Sequence, residues 1–246
     1  MIESTTSKNL APRGCFAETR WSLVCSLQSA PEPDRHRALD EFCEIYWYPL
    51  YLFARRKGYS AEDSEDLTQA LFQKLLGGEG LQRLDPDKGR VRSFLLQSLR
   101  NLMAGEWKKS QAQRRGAGIR HVSIDAMEGE ARFQAEPFTE VTPESEFERH
   151  FACALLQQTA LRLKEEFAKA GRARVFAALS ERIGGEGSKP YSQLSTELGM
   201  TVSAIKVTVH RMRGRFKNLL IEEICETVTA PEELDDEIAH LCQVFA

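Results

Sequence analysis

Apolar residues along this chain recur every three or four positions over long stretches and never alternate for more than a few, which predicts helices rather than strands. The expected class is all-α: two small helical domains joined by a linker. A short helix capped by Thr19 is expected over 19–28, with Trp21, Val24 and Cys25 on one face. The next runs from Asp34 to Lys57 on a stripe of Leu39, Phe42, Tyr46, Leu50 and Phe53, kinked by Pro49 and ended by Gly58. Ser60 opens another, with Asp63 placed to return to the Ser60 amide as a capping-box acid, and Leu67, Leu71 and Leu75 behind it. Gly77-Gly78 stops that helix. After the turn signal Asp85-Pro86-Asp87-Lys88-Gly89, a third begins near Arg92, with Phe94, Leu95, Leu99, Leu102 and Met103 on its apolar side.

From Gly116 to Pro143 the periodicity disappears, and Gly116, Gly118, Gly129, Pro137 and Pro143 punctuate the stretch, so 116–145 is expected to be an inter-domain linker, partly ordered at best. Helical spacing resumes at Glu144 with Phe147, Phe151, Leu155, Thr159 and Leu163, pauses near Gly171 and continues to Ile183. Beyond the Gly184-Gly185-Glu186-Gly187 loop, a segment from Tyr191 to Leu198 turns Leu194 and Leu198 inward. Gly199 supplies a left-handed turn, and Thr201 caps a helix with an inner stripe of Val202, Ile205, Val209, Met212 and Phe216. Two amphipathic helices joined by a glycine turn form a helix-turn-helix, which presents its second helix to the DNA major groove. The expected organisation is an N-terminal extension (1–33), a first domain (34–115), the linker (116–145), the helix-turn-helix domain (146–222) and a tail (223–246).

Charge sharpens this reading. The net charge of −3 argues weakly against a nucleic-acid partner, but its distribution argues the other way. Residues 100–120 carry six basic residues and one acid, 206–217 five basic residues and no acid, and 222–237 eight acids and no base. On the outer face of the second helix, Ser203, Lys206, His210 and Arg213 fall three or four apart, a donor-rich stripe suited to base edges. Arg211, Arg215 and Lys217 flank it, within reach of phosphates. A solvated face normally mixes both signs, and the lack of acids here favours DNA binding over a plain helical hairpin.

Six cysteines (Cys15, Cys25, Cys43, Cys153, Cys225, Cys242) show no Cys-x-x-Cys pair and no histidine at metal-ligand spacing, so reduced, mostly buried thiols are expected, with no metal and no cofactor. No apolar run approaches membrane-spanning length and the N-terminus lacks a secretory pattern, so a cytoplasmic protein that does not engage membranes is expected. The five histidines (His36, His121, His150, His210, His240) are far apart and accompany no catalytic motif, so no enzymatic activity is expected.

The stretch from Pro190 to Phe216, above all Leu198-Gly199, Ile205-Lys206 and His210-Arg211-x-Arg213, resembles the −35-reading region of extracytoplasmic-function (ECF) RNA polymerase sigma factors. Ser60–Gln69 followed by Phe72 is similar to that family's helix that docks on the polymerase β′ clamp, which implies docking roles for Glu65, Asp66, Leu67, Gln69 and Phe72. Phe94–Asn101, Trp107-Lys108-Lys109 and Arg114-Arg115 resemble its −10 and strand-opening region. Asn101 and these cations would then hold the opening strand, with Trp107 stacking on or wedging against an exposed base. Two motifs in the family's order carry more weight than either alone. The Phe16-Ala-x-Thr-x-Trp-Ser22 element and acidic tail are similar to a long, planctomycete-type lineage of the family.

The resemblance implies core RNA polymerase (β′ clamp and β flap) and promoter DNA as partners, and admits an anti-sigma factor. The sequence departs from the family at Gly105, where many members carry Asp, and at Ala70, where many carry Glu. Gly171-Arg-Ala-Arg174 and an extended helix replace the usual Leu-Pro turn before the helix-turn-helix. A stand-alone helix-turn-helix regulator is the rival reading, and the docking-like helix speaks against it. In the tail, Leu234, Ile238, Leu241, Cys242 and Phe245 share one face of a helix rich in acids. That helix either folds back on a basic surface and weakens promoter engagement, or extends the core of the second domain.

Overall fold

The computed structural model describes residue 27 and residues 31–76, 90–109, 126–136, 141–228 and 230–245. Among these residues the chain is all-α, with no strand. Two compact units divide the described residues: those within Phe16–Ala154 together with those within Cys225–Ala246, and Leu155–Ile224.

The first unit is organised around α1 (Glu32–Arg56). The sequence marks one apolar stripe on this helix, but every residue from Ile45 to Ala54 is buried, as expected of a helix enclosed on all sides. The helix passes through Pro49, itself buried. Against it lie α2 (Ala61–Leu76) and α3 (Val91–Lys109). At the start of α2 the Asp63 amide donates to Ser60 Oγ at 3.0 Å, the first half of a capping box. The Asp63 carboxylate accepts from the Ser60 hydroxyl at 2.7 Å, where the sequence pattern anticipated the Ser60 amide as its donor.

Part of the expected linker is folded. Residues Ala126–Ala135 form α4, which docks on α1 because Gly129 lets its backbone approach the Trp47 indole. A Cβ at Gly129 would stand 2.9 Å from that ring. Glu130 accepts from the Tyr51 hydroxyl at 2.5 Å and from Arg55 Nε and Nη2 at 3.0 Å each, while the Tyr48 hydroxyl donates to Glu136 at 2.7 Å. The glycine that reads as punctuation in the sequence is a packing contact.

Helix α5 (Pro143–Lys169) begins in the first unit, where Phe147 sits edge-on to Phe53 and Phe151 stacks on Tyr46. The division between units falls after Ala154, inside α5, instead of before residue 146. The tail also belongs to the first unit. Its helix α9 (Leu234–Gln243), after a 3₁₀ turn at Pro231–Glu233, buries Leu234, Leu241 and Glu237. It therefore does not extend the core of the helix-turn-helix unit.

In the second unit, the rest of α5, α6 (Ala173–Leu179), a 3₁₀ turn (Ser180–Arg182), α7 (Tyr191–Leu198) and α8 (Val202–Cys225) enclose a core of Leu163, Phe176, Leu179, Leu194, Ile205, Val209, Met212 and Leu219. Phe216 packs at its margin. Val202, expected inside, is 37% exposed, because the first turn of α8 extends past the core.

Cys43, Cys153 and Cys242 are free thiols, the first buried and the last exposed. Burial, helped by Asp40 and Glu44, pushes the Cys43 thiol up to about 12. Cys225, fully buried, is disulfide-bonded, which corrects the expectation of reduced thiols at this position. The helix expected over 19–28 lies outside the described residues except for Leu27, which is helical and buried.

Candidate nucleic-acid interface

The hairpin of α7 and α8 expected to form a helix-turn-helix is built by local chemistry. Gly199 at φ +65° closes α7, a conformation that costs a residue with a Cβ about 1 kcal/mol or more. The Met200 amide returns to the Ser195 carbonyl at 3.2 Å, and the Ser195 hydroxyl donates to the Met200 carbonyl at 2.5 Å, so the turn is bonded from both sides. Thr201 Oγ1 accepts from the Ala204 amide at 3.2 Å and caps α8. Three buried side chains of α8 (Ile205, Val209, Met212) then leave a defined outer face.

On that face Ser203, Lys206, His210 and Arg211 are exposed. Lys206 Nζ stands 5.6 Å from the centre of the Tyr191 ring on α7, a contact that holds its stem against that helix. Arg213 is exposed but engaged: its Nε donates to the Arg182 carbonyl and its Nη2 to the Gly185 carbonyl, each at 2.8 Å. Two of its five N–H donors tie down the loop before α7, so its expected role as a base reader is corrected to one shared with loop anchoring. Arg182, buried at the base of this loop, stacks on Tyr191 at 4.0 Å and donates to the Lys189 carbonyl.

Arg215 departs further from expectation. Its Nη2 and Nε meet both oxygens of Glu166 on α5 at 2.5–3.2 Å, and Nη1 meets Glu222 at 3.2 Å. The same pairing holds the Glu166 carboxyl below its ordinary range, chiefly through the Arg215 hydrogen bonds. Arg162 pairs in turn with Glu222 and Glu223 at 2.8 and 2.6 Å. Arg215 therefore braces α8 against α5 and is not a phosphate contact in this state. Spacing along one helix could not show this, because the acids come from a helix 49 residues earlier and from 7 residues later.

One residue on the outer face escaped the polar pattern. Val207, 47% exposed, lies between Lys206 and His210. A branched apolar side chain is a weak choice for a solvated helix face. Its position suits contact with a thymine methyl group.

In the first unit, Asn101 is exposed on α3 and accepts from the Gln97 side chain at 3.1 Å. The α3 backbone continues through Trp107, Lys108 and Lys109, whose side chains lie outside the described residues, as do Arg114 and Arg115 entirely. On α2, Asp66 is exposed, Glu65 and Gln69 are half-buried, and the Gln69 amide donates to Glu65 at 2.9 Å. Leu67 and Phe72 are 5% and 3% exposed, with Phe72 edge-on to Phe42, so both serve the core and cannot offer an apolar docking surface as placed. At helical spacing an apolar residue beside a polar stripe reads equally as core or as contact, and only burial separates the two. Ala70 is half-buried and Gly105 exposed.

Lys57 just past α1, Arg90 just before α3, and Arg92 and Arg100 on α3 form ion pairs with Glu144, Glu148 and Glu237 that spacing along the chain does not show. Of these, Arg92 enters the sequence analysis only as the start of a helix. Among the described residues, no group of three or more His, Cys, Asp or Glu side chains is placed to hold a metal ion, and no helix is long and apolar enough to cross a membrane.

Residues 48–113 match the family model for sigma-70 region 2, a segment that takes in the C-terminal third of α1, all of α2 and α3 and the connections between them. The match supports a role in binding polymerase and melting promoters. Comparison with curated proteins and with solved structures finds no match.

Proposed function

From a chain that carries sigma-70 region 2, we propose a sigma factor of the ECF type, in the long planctomycete-type lineage, that binds core RNA polymerase and directs initiation at promoters with −10 and −35 elements. One observation carries the second half of this reading. Outside the region 2 match, the chain forms two helices joined by a capped glycine turn, and the second turns Ser203, Lys206, His210 and Arg211 to solvent in a stretch, 199–221, whose sequence contains no acid. The protein acts by placement and catalyses no reaction itself.

Asp66, Glu65 and Gln69 on α2 form the polar docking stripe for the β′ clamp. Asn101 and the basic end of α3 hold the −10 strand as it opens, and the outer face of α8 reads the −35 duplex, beside the β flap. These assignments place the protein in the cytoplasm with its polymerase. Run-off transcription with purified core polymerase, with and without the chain, tests the reading across promoters of the host. Transcripts starting at a common promoter class only when the chain is added are the expected result. Promoter-specific binding without association to core polymerase would instead make it a stand-alone regulator.

A further inference from the structure

Four glutamates outside the sigma-70 region 2 match lie against cations on or next to α1 and α3. Glu144 stands 2.9 Å from Lys57 Nζ and 2.8 Å from Arg100 Nη2. Glu146 stands 2.5 Å from Arg56 Nε, and Glu148 2.9 Å from Arg92 Nε. Glu237, from the tail helix α9, takes the Arg92 fork at 2.5 and 3.1 Å and Arg90 Nη1 at 2.9 Å. The Arg92 and Glu237 side chains are 2% and 0% exposed, while Arg90 and Arg100 keep 30% and 40%.

We propose that Arg90 and Arg92 form a seam that binds the DNA phosphate backbone, and that α9 is the removable part of the acidic cover now occupying it. This rests on the sigma-factor reading and extends it to a surface outside the −10 and −35 contacts. The chemistry is an exchange of like for like: a carboxylate seated on a guanidinium fork presents the oxygen geometry that a phosphodiester presents.

The two halves of the cover differ in how firmly they are held. The α5 acids are fixed by Phe147 and Phe151, both fully buried among the rings of α1. Helix α9 buries only Leu234 and Leu241 as apolar anchors, and the chain beyond it leaves Phe245 52% exposed. A buried ion pair roughly balances its own desolvation, so trading Glu237 for phosphate oxygens on the same arginines changes the net energy little. Removing one guanidinium partner and offering none is the costly alternative, which keeps α9 in place until DNA arrives.

The test uses the full chain and fluorescence anisotropy on a forked promoter fragment across a salt series, comparing the native protein with Glu237→Gln, Arg90→Ala and the double variant. Glu237→Gln should bind several-fold tighter and steepen the slope of log K against log salt by about 0.9 for each phosphate newly contacted. Adding Arg90→Ala should cancel much of that gain. Unchanged or weaker binding by a Glu237→Gln protein of native helical content overturns the proposal.

Should Glu237→Gln fail to fold, hydrogen exchange on the native chain decides. Loss of protection over 234–243 when forked DNA is added supports the proposal, and undiminished protection overturns it. Core-polymerase association of the native chain is measured alongside. If the native chain binds core and initiates while Glu237→Gln changes nothing, only the seam falls. If it does not bind core, the sigma reading falls, and the anisotropy comparison still judges the seam.

Discussion

Replacing Arg213 with alanine separates a base-reading arginine from one that builds the reading surface. The change removes an N–H···O bond to the Arg182 carbonyl and another to the Gly185 carbonyl, both 2.8 Å long. Hydrogen bonds from a charged donor contribute about 1.5–3 kcal/mol each, but Arg213 is exposed and water replaces the outer bond, so a net loss of about 1–2 kcal/mol is expected. At about 4–8 °C per kcal/mol for a domain of this size, the helix-turn-helix unit should melt on the order of 5–15 °C lower. Differential scanning calorimetry measures this, and limited proteolysis should show faster cleavage within 184–187. Arg213→Lys keeps the charge but loses the fork, and should recover little of the stability. Both variants, compared with the native chain below their melting temperatures, should retain part of their −35 affinity. An unchanged melting temperature combined with abolished −35 binding would refute the anchoring role and return Arg213 to base reading alone.

Lys206→Ala should weaken binding to −35 duplexes and, if its ammonium meets a phosphate, lower the salt slope by about 1; an unchanged affinity in the anisotropy assay would remove it from the interface. Thr201→Ala removes the cap of α8 and should destabilise the helix-turn-helix unit by about 1 kcal/mol, read by chemical denaturation. The Glu144 carboxyl is held down to about 2, chiefly by its hydrogen bond from Lys57, with Arg100 adding to it. A depressed carboxylate stabilises the fold above its unfolded pKa and loses that contribution as pH falls toward the folded value. The stability difference between the native chain and Glu144→Gln should therefore be present above about pH 4.5 and fade by about pH 2 in pH-dependent unfolding. Under native conditions a thiol reagent should label Cys242 quickly and Cys43 only on unfolding; rapid labelling of Cys43 would contradict its burial.

The parts legible in the sequence are those governed by neighbours along the chain. Helical periodicity placed α1, α2, α3, α7 and α8 to within a few residues, and Gly199 with Thr201 marked the turn, because caps and left-handed positions are satisfied by atoms within five residues. The exposure of Ser203, Lys206, His210 and Arg213 on one stripe follows from the same 3.6-residue repeat, but the bonds that tie Arg213 to the loop before α7 do not. Where the sequence reading went wrong, the partner came from far away. Arg215 looks like a phosphate contact until Glu166 arrives from α5. Leu67 and Phe72 look like docking residues until α1 covers them, and 116–145 looks like a tether until Gly129 meets Trp47.

Local pattern alone thus determined an all-α chain with a helix-turn-helix and an acidic, amphipathic tail, since each of those depends on which side chains share a face. The tertiary structure decided which cations remain available to DNA and which unit the tail joins. A guanidinium's role is set by the nearest carboxylate in space, and for Arg92 that carboxylate is Glu237, 145 residues away. No periodicity in the sequence encodes such a pairing. Folding creates it by bringing α9 against the start of α3.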